Sequence, residues 1–147
     1  LRWIASQASE RTRRWQRVLD YGCGSGILAI AAAMLGAANV DAVDIDPAAV
    51  GSTSDNAAAN GVTVRAALPA GAAGVYALVL ANILATPLKL LAPLLCAHLE
   101  PAGDLVLAGI LERQAEELAA AYAPWCSLEV TDREDGWILM TARGRVA

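Results

Sequence analysis

Val18-Leu19-Asp20-Tyr21-Gly22-Cys23-Gly24-Ser25-Gly26, running directly into the apolar residues 27–35, is the stretch that decides the fold. A short apolar run, three glycines at alternate positions and an alanine-rich segment read as a strand, a tight turn and a helix N-terminus. Glycine tolerates positive φ and carries no Cβ, so the turn can be sharp and a ligand can lie against bare backbone. The first turn of the helix leaves amide donors unpaired and aimed at that ligand. The stretch therefore reads as a cradle for a small molecule.

Outward from it, strands and helices alternate. Residues 17–21 form a strand and 26–35 a helix, followed by a strand over 39–44 that ends in acids. Pro47 opens a second helix with Asp46 as its N-cap, and Gly61 stops it after Asn60. Strands follow at 62–66 and 76–81, with a loop over 69–74 between them. Thr86 and Pro87 start a helix that Pro93 interrupts near Ala92. A turn at 101–103 leads to a strand over 104–108 and a helix over 111–122. Two last strands, 125–131 and 137–142, flank a charged turn over 132–136. This order predicts an α/β fold with a mostly parallel, doubly wound sheet and an antiparallel C-terminal hairpin at one edge.

In such sheets ligands bind beyond the carboxyl ends of the strands, where strand order reverses. That rule sends Asp20 with Gly22, Gly24 and Gly26, Asp44 at the end of strand two, and Asn82 at the end of strand four into one crevice. Asp44 follows Gly22 at close to the spacing at which an acid receives ribose hydroxyls, and a carboxylate accepts from both at once. Asp41 reads as a turn or strand-edge acid. Gly24, Gly26 and Ala29 satisfy G-x-G-x-x-A, which keeps a dinucleotide open. Asp20, two residues before the first glycine, would repel a pyrophosphate but suits a ligand bearing ammonium and sulfonium charges, as S-adenosylmethionine does.

The 147 residues, 56% of them hydrophobic, suit one domain with a real core. Residues 1–16 read as a helical or linker segment, solvated and rich in arginine (Arg2, Arg11, Arg13, Arg14), and 17–147 as the ligand-binding domain. No run approaches the ~20 apolar residues of a membrane span, and no leader pattern is seen, so a soluble, cytoplasmic monomer is expected. Cys23, Cys96 and Cys126 share no CxxC spacing, and His98 is the one histidine, so neither a disulfide framework nor a metal site is expected. A net charge of −4 argues against a general nucleic-acid surface.

Asp20 to Gly26, Asp44-Ile45-Asp46-Pro47, Asp55-Asn56-Ala57 with Asn60-Gly61, Ala81-Asn82-Ile83-Leu84-Ala85, Ala92-Pro93-Leu94 and Gly109-Ile110-Leu111 together resemble the catalytic domain of the PrmA family. The glycine turn is shared by many methyltransferases; the Ala-Asn-Ile-Leu-Ala and Gly-Ile-Leu strings are more specific. The resemblance implies a Rossmann-like, S-adenosylmethionine-dependent N-methyltransferase acting on amino groups of large ribosomal subunit protein eleven. It implies Asp20, Gly22, Cys23, Gly24, Asp44, Ile45 and Asn82 as cofactor-binding residues, with Gly22 and its neighbours at the methionine part and Asp44 at the ribose. Asn82 and the Ile83 carbonyl would orient the amine. The family's Gly-Thr motif and its N-terminal substrate-recognition domain would both lie before Leu1. Residues 65–68 offer no acid for the adenine amine, so apolar contacts and backbone are expected there.

Other residues have plainer readings. Cys23 is a small loop filler rather than a nucleophile, because no histidine stands near it to act as base. His98 is a surface or capping residue, and Trp125 and Trp137 are packing, although Trp137 stands where it can rim a pocket. Two further readings remain open at this point: a nicotinamide-dependent oxidoreductase, and a non-catalytic module that binds S-adenosylmethionine.

Overall fold

The computed structural model describes residues 1–11 and 15–146, the side chains of 8–11 excepted. Seven strands form one sheet in the order β3-β2-β1-β4-β5-β7-β6. They are β1 (Arg17–Tyr21), β2 (Asn39–Val43), β3 (Arg65–Ala67), β4 (Tyr76–Asn82), β5 (Leu99–Leu111), β6 (Glu129–Glu134) and β7 (Trp137–Arg143). The first five run parallel, and β7 inserts antiparallel between β5 and β6. The helices are α1 (Arg2–Arg11), α2 (Ile27–Met34), α3 (Pro47–Ala59), α4 (Ala85–Leu90), α5 (Ala92–Ala97) and α6 (Ala115–Tyr122). Among the described residues, no helix is long and apolar enough to cross a membrane.

Side-chain alternation along the buried strands divides the core in two. Val18, Ala42, Leu78 and Leu80 pack with Ile4 of α1 and with Ala29 and Ala32 of α2. Leu19, Val43, Val79 and Ala81 face the other way, toward Leu88 of α4, Leu95 of α5 and Leu118 and Tyr122 of α6. One face of α1 is therefore not solvated: Ile4 and Trp15 are fully buried, and Trp15 stacks on Trp3 at 6.0 Å. Of the arginines expected to be solvated there, Arg13, Arg14 and the side chain of Arg11 lie outside the described residues.

Several boundaries differ from the sequence reading, each for a local reason. Strand β3 is confined to Arg65–Ala67, where it pairs with β2. Strand β5 starts at Leu99 and runs through the 101–103 turn, and it continues to Leu111, which pairs with Trp137; the helix expected from 111 begins only at Ala115. The amides of Trp125 and Cys126 donate to the Tyr122 carbonyl, so these residues form the turn that closes off α6 instead of opening a strand. The hairpin turn is only Asp135-Gly136, with φ of 52° and 82°. Positive φ at both positions is the twist-matched two-residue hairpin turn, and it draws the charged residues 132–134 into β6.

Candidate functional site

The strand order reverses between β1 and β4, whose carboxyl ends lie side by side with Tyr21 opposite Ala81. Beyond β1 the glycine turn folds over the end of β2. The amides of Gly22 and Cys23 donate to the Val43 carbonyl at 2.8 and 3.0 Å, and the Gly26 amide donates to Cys23 at 2.8 Å. Gly22, Gly24 and Gly26 have φ of 77°, 56° and 86°, conformations open to glycine at little cost. Asp44 ties the turn to β2: its Oδ2 accepts from the Gly24 amide and its Oδ1 from the Asp46 amide, each at 3.0 Å. Beside it, Ile45 is 82% exposed, an apolar surface next to the half-buried carboxylate.

Asp20 lies beneath the turn. Alternation gives it the α2 face along with Val18, and its carboxylate accepts from the Ala29 amide at 3.2 Å. Ala29 is the third residue of α2, whose own N-cap, Gly26, has no side chain to offer. Asp20 thus caps the helix from the neighbouring strand, placing an acid at the positive end of the helix dipole. Burial pushes its pKa up to about 7, the Ala29 hydrogen bond opposes that, and the Asp44 charge adds to it. Burial likewise raises the Cys23 thiol, and all three cysteines are free.

Asn82 ends β4 and Ile83 follows it. Across from them β5 bulges: Leu107 pairs with Met140 and Ile110 with Ile138, so Ala108 and Gly109 share one partner position on β7. Gly109 has φ 81°, and a Cβ there would stand 2.8 Å from the Ile83 carbonyl oxygen and 3.0 Å from Asn82 Oδ1. Two acceptors therefore lie within about 3 Å of one point, and bare backbone leaves room for them. They line a cavity of about 750 Å³ that Leu84, Trp137, Asp132 and Glu134 also border.

The structure sets the expected site residues along one edge of the sheet in two adjoining places, not in one hollow. Gly22, Cys23, Gly24, Asp44 and Ile45 surround the turn; Asn82 and Ile83 face the cavity; Asp20 is 1% exposed and turned under the loop onto α2. The halves meet where a Cβ on Gly22 would come 2.8 Å from Ile83 Cγ2. The sequence reading missed Thr53 and Asn56 of α3, which bond the turn, and the role of Gly109. Both lie in the unbroken polar run 52–56 of an otherwise alanine-rich helix, and Asn56 stands in one of the strings that carry the family resemblance, but neither sign shows which carbonyls they bond. Among the described residues, no group of three or more His, Cys, Asp or Glu side chains is placed to hold a metal ion.

Comparison with known proteins agrees with this geometry. The family model for ribosomal protein L11 methyltransferase (PrmA) matches residues 1–145. A ribosomal protein L11 methyltransferase from a Polaromonas species is 66% identical over 143 residues, 97% of this chain and 48% of that protein. One from Bordetella parapertussis is 59% identical over 125 residues, 84% of this chain and 41% of that protein. The chain thus spans about half the length of these relatives. The crystal structure of a ribosomal protein L11 methylase from Lactobacillus delbrueckii superposes with a TM-score of 0.81 at 32% identity, covering 99% of this chain and 81% of that one. A Thermus thermophilus 16S rRNA methyltransferase solved with AdoMet and guanosine shares the fold, with a TM-score of 0.76 at 20% identity over 97% of this chain and 42% of that one. The strand order, the glycine turn and the close approach of Asn82 to Gly109 stand on a chain that belongs to the ribosomal protein L11 methyltransferase (PrmA) family.

Proposed function

We propose that this chain is the catalytic part of an S-adenosylmethionine-dependent N-methyltransferase whose substrates are amino groups of a protein, ribosomal protein L11 by the names of its relatives. The observation that carries the reading is the convergence of Asn82 Oδ1 and the Ile83 carbonyl beside a glycine turn that has an acid beneath it. The turn fits the cofactor. Ile83 and Thr53 fill the space beside Gly22 and Gly26, so these two glycines let the turn pack tightly, whereas nothing lies within 4 Å of where a Cβ on Gly24 would stand and its backbone is open to a ligand. Asp20 and Asp44 favour a cation over a pyrophosphate. Gly22, Cys23 and Gly24 would hold the methionine part, and Asp44 with Ile45 the ribose side.

When bound, S-adenosylmethionine supplies an electrophilic methyl group on a sulfonium. The residues of this chain prepare the nucleophile. An amine entering the cavity from the side of Trp137 and Leu84 loses water, which lowers its pKa and releases the neutral form. Asn82 Oδ1 and the Ile83 carbonyl then accept its N–H hydrogens and fix its lone pair in one direction. At the rim Asp132 and Glu134 are paired with Arg2 at 2.6 and 3.7 Å, so this wall of the cavity is held together by charges of the chain itself. In this reading the protein works in the cytoplasm as a monomer, residues 17–147 hold the cofactor, and the part of the relatives that this chain does not span recognises the body of the substrate.

Two measurements test the reading. Calorimetric titration should give saturable binding of S-adenosylhomocysteine and none of NAD; the reverse would make the protein an oxidoreductase. Asn82→Ala should lower turnover on a protein amine at least about tenfold, the loss of one oriented hydrogen bond, while S-adenosylhomocysteine affinity stays within about threefold. Unchanged turnover would remove Asn82 from the mechanism.

A further inference from the structure

Helix α3 grips the glycine turn from outside. Thr53, fully buried, donates its hydroxyl to the Gly24 carbonyl at 3.1 Å, and Asn56 donates Nδ2 to the Ser25 carbonyl at 2.9 Å. The two are three residues apart, so one helical turn presents both donors to consecutive carbonyls. The Thr53 hydroxyl has a single hydrogen, spent on Gly24; its 3.3 Å contact with Cys23 therefore runs from the thiol to Thr53 Oγ1. The methyl of Thr53 fills the space beside Gly26, 2.7 Å from where a Cβ would stand. Across a planar trans peptide, N–H and C=O point in opposite directions. Pulling the Gly24 carbonyl toward α3 turns the Ser25 amide away from it, while Asp44 fixes the Gly24 amide on the other flank.

We propose that Thr53 and Asn56 are positioning residues: they set the peptide planes of Gly24 and Ser25, and thereby aim the turn at the amino-acid part of S-adenosylmethionine. The inference rests on the methyltransferase reading. It gives Asp55-Asn56-Ala57 a task in the site that is exercised through the Gly24 and Ser25 carbonyls. The adenosine part depends less on these two bonds, because Asp44, although it also accepts from the Gly24 amide, keeps its place at the end of β2 through the Asp46 amide.

The test compares S-adenosylhomocysteine with methylthioadenosine, which lacks the amino-acid end, by calorimetric titration of the intact chain. Thr53→Val keeps the shape and loses the hydroxyl; it should weaken S-adenosylhomocysteine about tenfold, equivalent to about 1.4 kcal/mol, and leave methylthioadenosine within about twofold. Thr53→Ser should restore the affinity. Asn56→Ala, at an exposed position, should repeat the selective loss on a smaller scale and keeps the question open to an answer if Thr53→Val does not fold. Equal losses for both ligands, or no loss in Asn56→Ala and in a folded Thr53→Val, overturn the positioning role. A parent protein that binds neither ligand overturns the methyltransferase reading itself, and this inference with it.

Discussion

Asp20 carries a cost that its neighbours do not remove. A carboxyl moved from 3.8 to about 7 by burial holds on the order of 4 kcal/mol against the folded state once it is ionised. Because the folded form binds the proton more tightly, stability is highest below the unfolded pKa and falls as pH rises from about 4 to about 7, opposite to an ordinary salt-bridged acid. Asp20→Asn should therefore raise the free energy of urea unfolding at pH 8, and by less than half as much at pH 5. Equal gains at both pH values would show that the buried charge is not the cause. The Asn side-chain oxygen can still accept from Ala29, so the cap survives. What the variant gives up is negative charge beneath the turn, and its affinity for the sulfonium S-adenosylmethionine should fall more than its affinity for uncharged-sulfur S-adenosylhomocysteine.

At the level of elements, two glycines separate conformational need from site need. Gly136, φ 82°, sits in the hairpin turn with nothing within 4 Å of where a Cβ would go. Gly136→Ala should cost about 1 kcal/mol in urea unfolding and leave turnover intact. Gly109 has a nearly identical φ of 81°, but its added Cβ would meet the Ile83 carbonyl oxygen and Asn82 Oδ1. Gly109→Ala should lower turnover at least about tenfold beyond any loss of stability, since the bulge sets where those acceptors stand. Comparable turnover in the two variants would deny the bulge a part in catalysis. The Gly-Ile-Leu string thus has a physical content: the glycine makes room for Asn82, and Ile110 is fully buried on the α4–α6 side of the sheet.

For the whole molecule, the mostly parallel sheet and its antiparallel C-terminal hairpin were legible because alternating apolar strands and helices leave few ways to wind a chain. Val18 and Leu19, adjacent in sequence, enter opposite halves of the core as a period of two requires. What sequence periodicity does not display is capping at a distance: Asp20 completes α2 from another element, and Thr53 and Asn56 hold a loop that lies about thirty positions earlier in the chain. The segment that holds α1 was read as helical or linker, but its docking was not legible, because it rests on Ile4, fully buried, and on Trp3, stacked on the buried Trp15, within a stretch rich in arginine. Ile4→Ala should cost about 2–4 kcal/mol in urea unfolding, as removal of a fully buried isoleucine does. A change below about 0.5 kcal/mol would mean that α1 contributes little to holding the domain together.

The antiparallel insertion of β7 also sets an order of events during synthesis. Strand β5 has β4 on one side, but its other partner is Trp137–Arg143, translated some thirty residues later. Until that segment leaves the ribosomal tunnel, the nascent chain presents an apolar, unpaired strand edge of the kind that recruits chaperones or sticks to other chains. The cavity beside Asn82 and Ile83 lacks Trp137, Ile138 and Leu139 before that moment, so its wall is complete only once β7 is delivered.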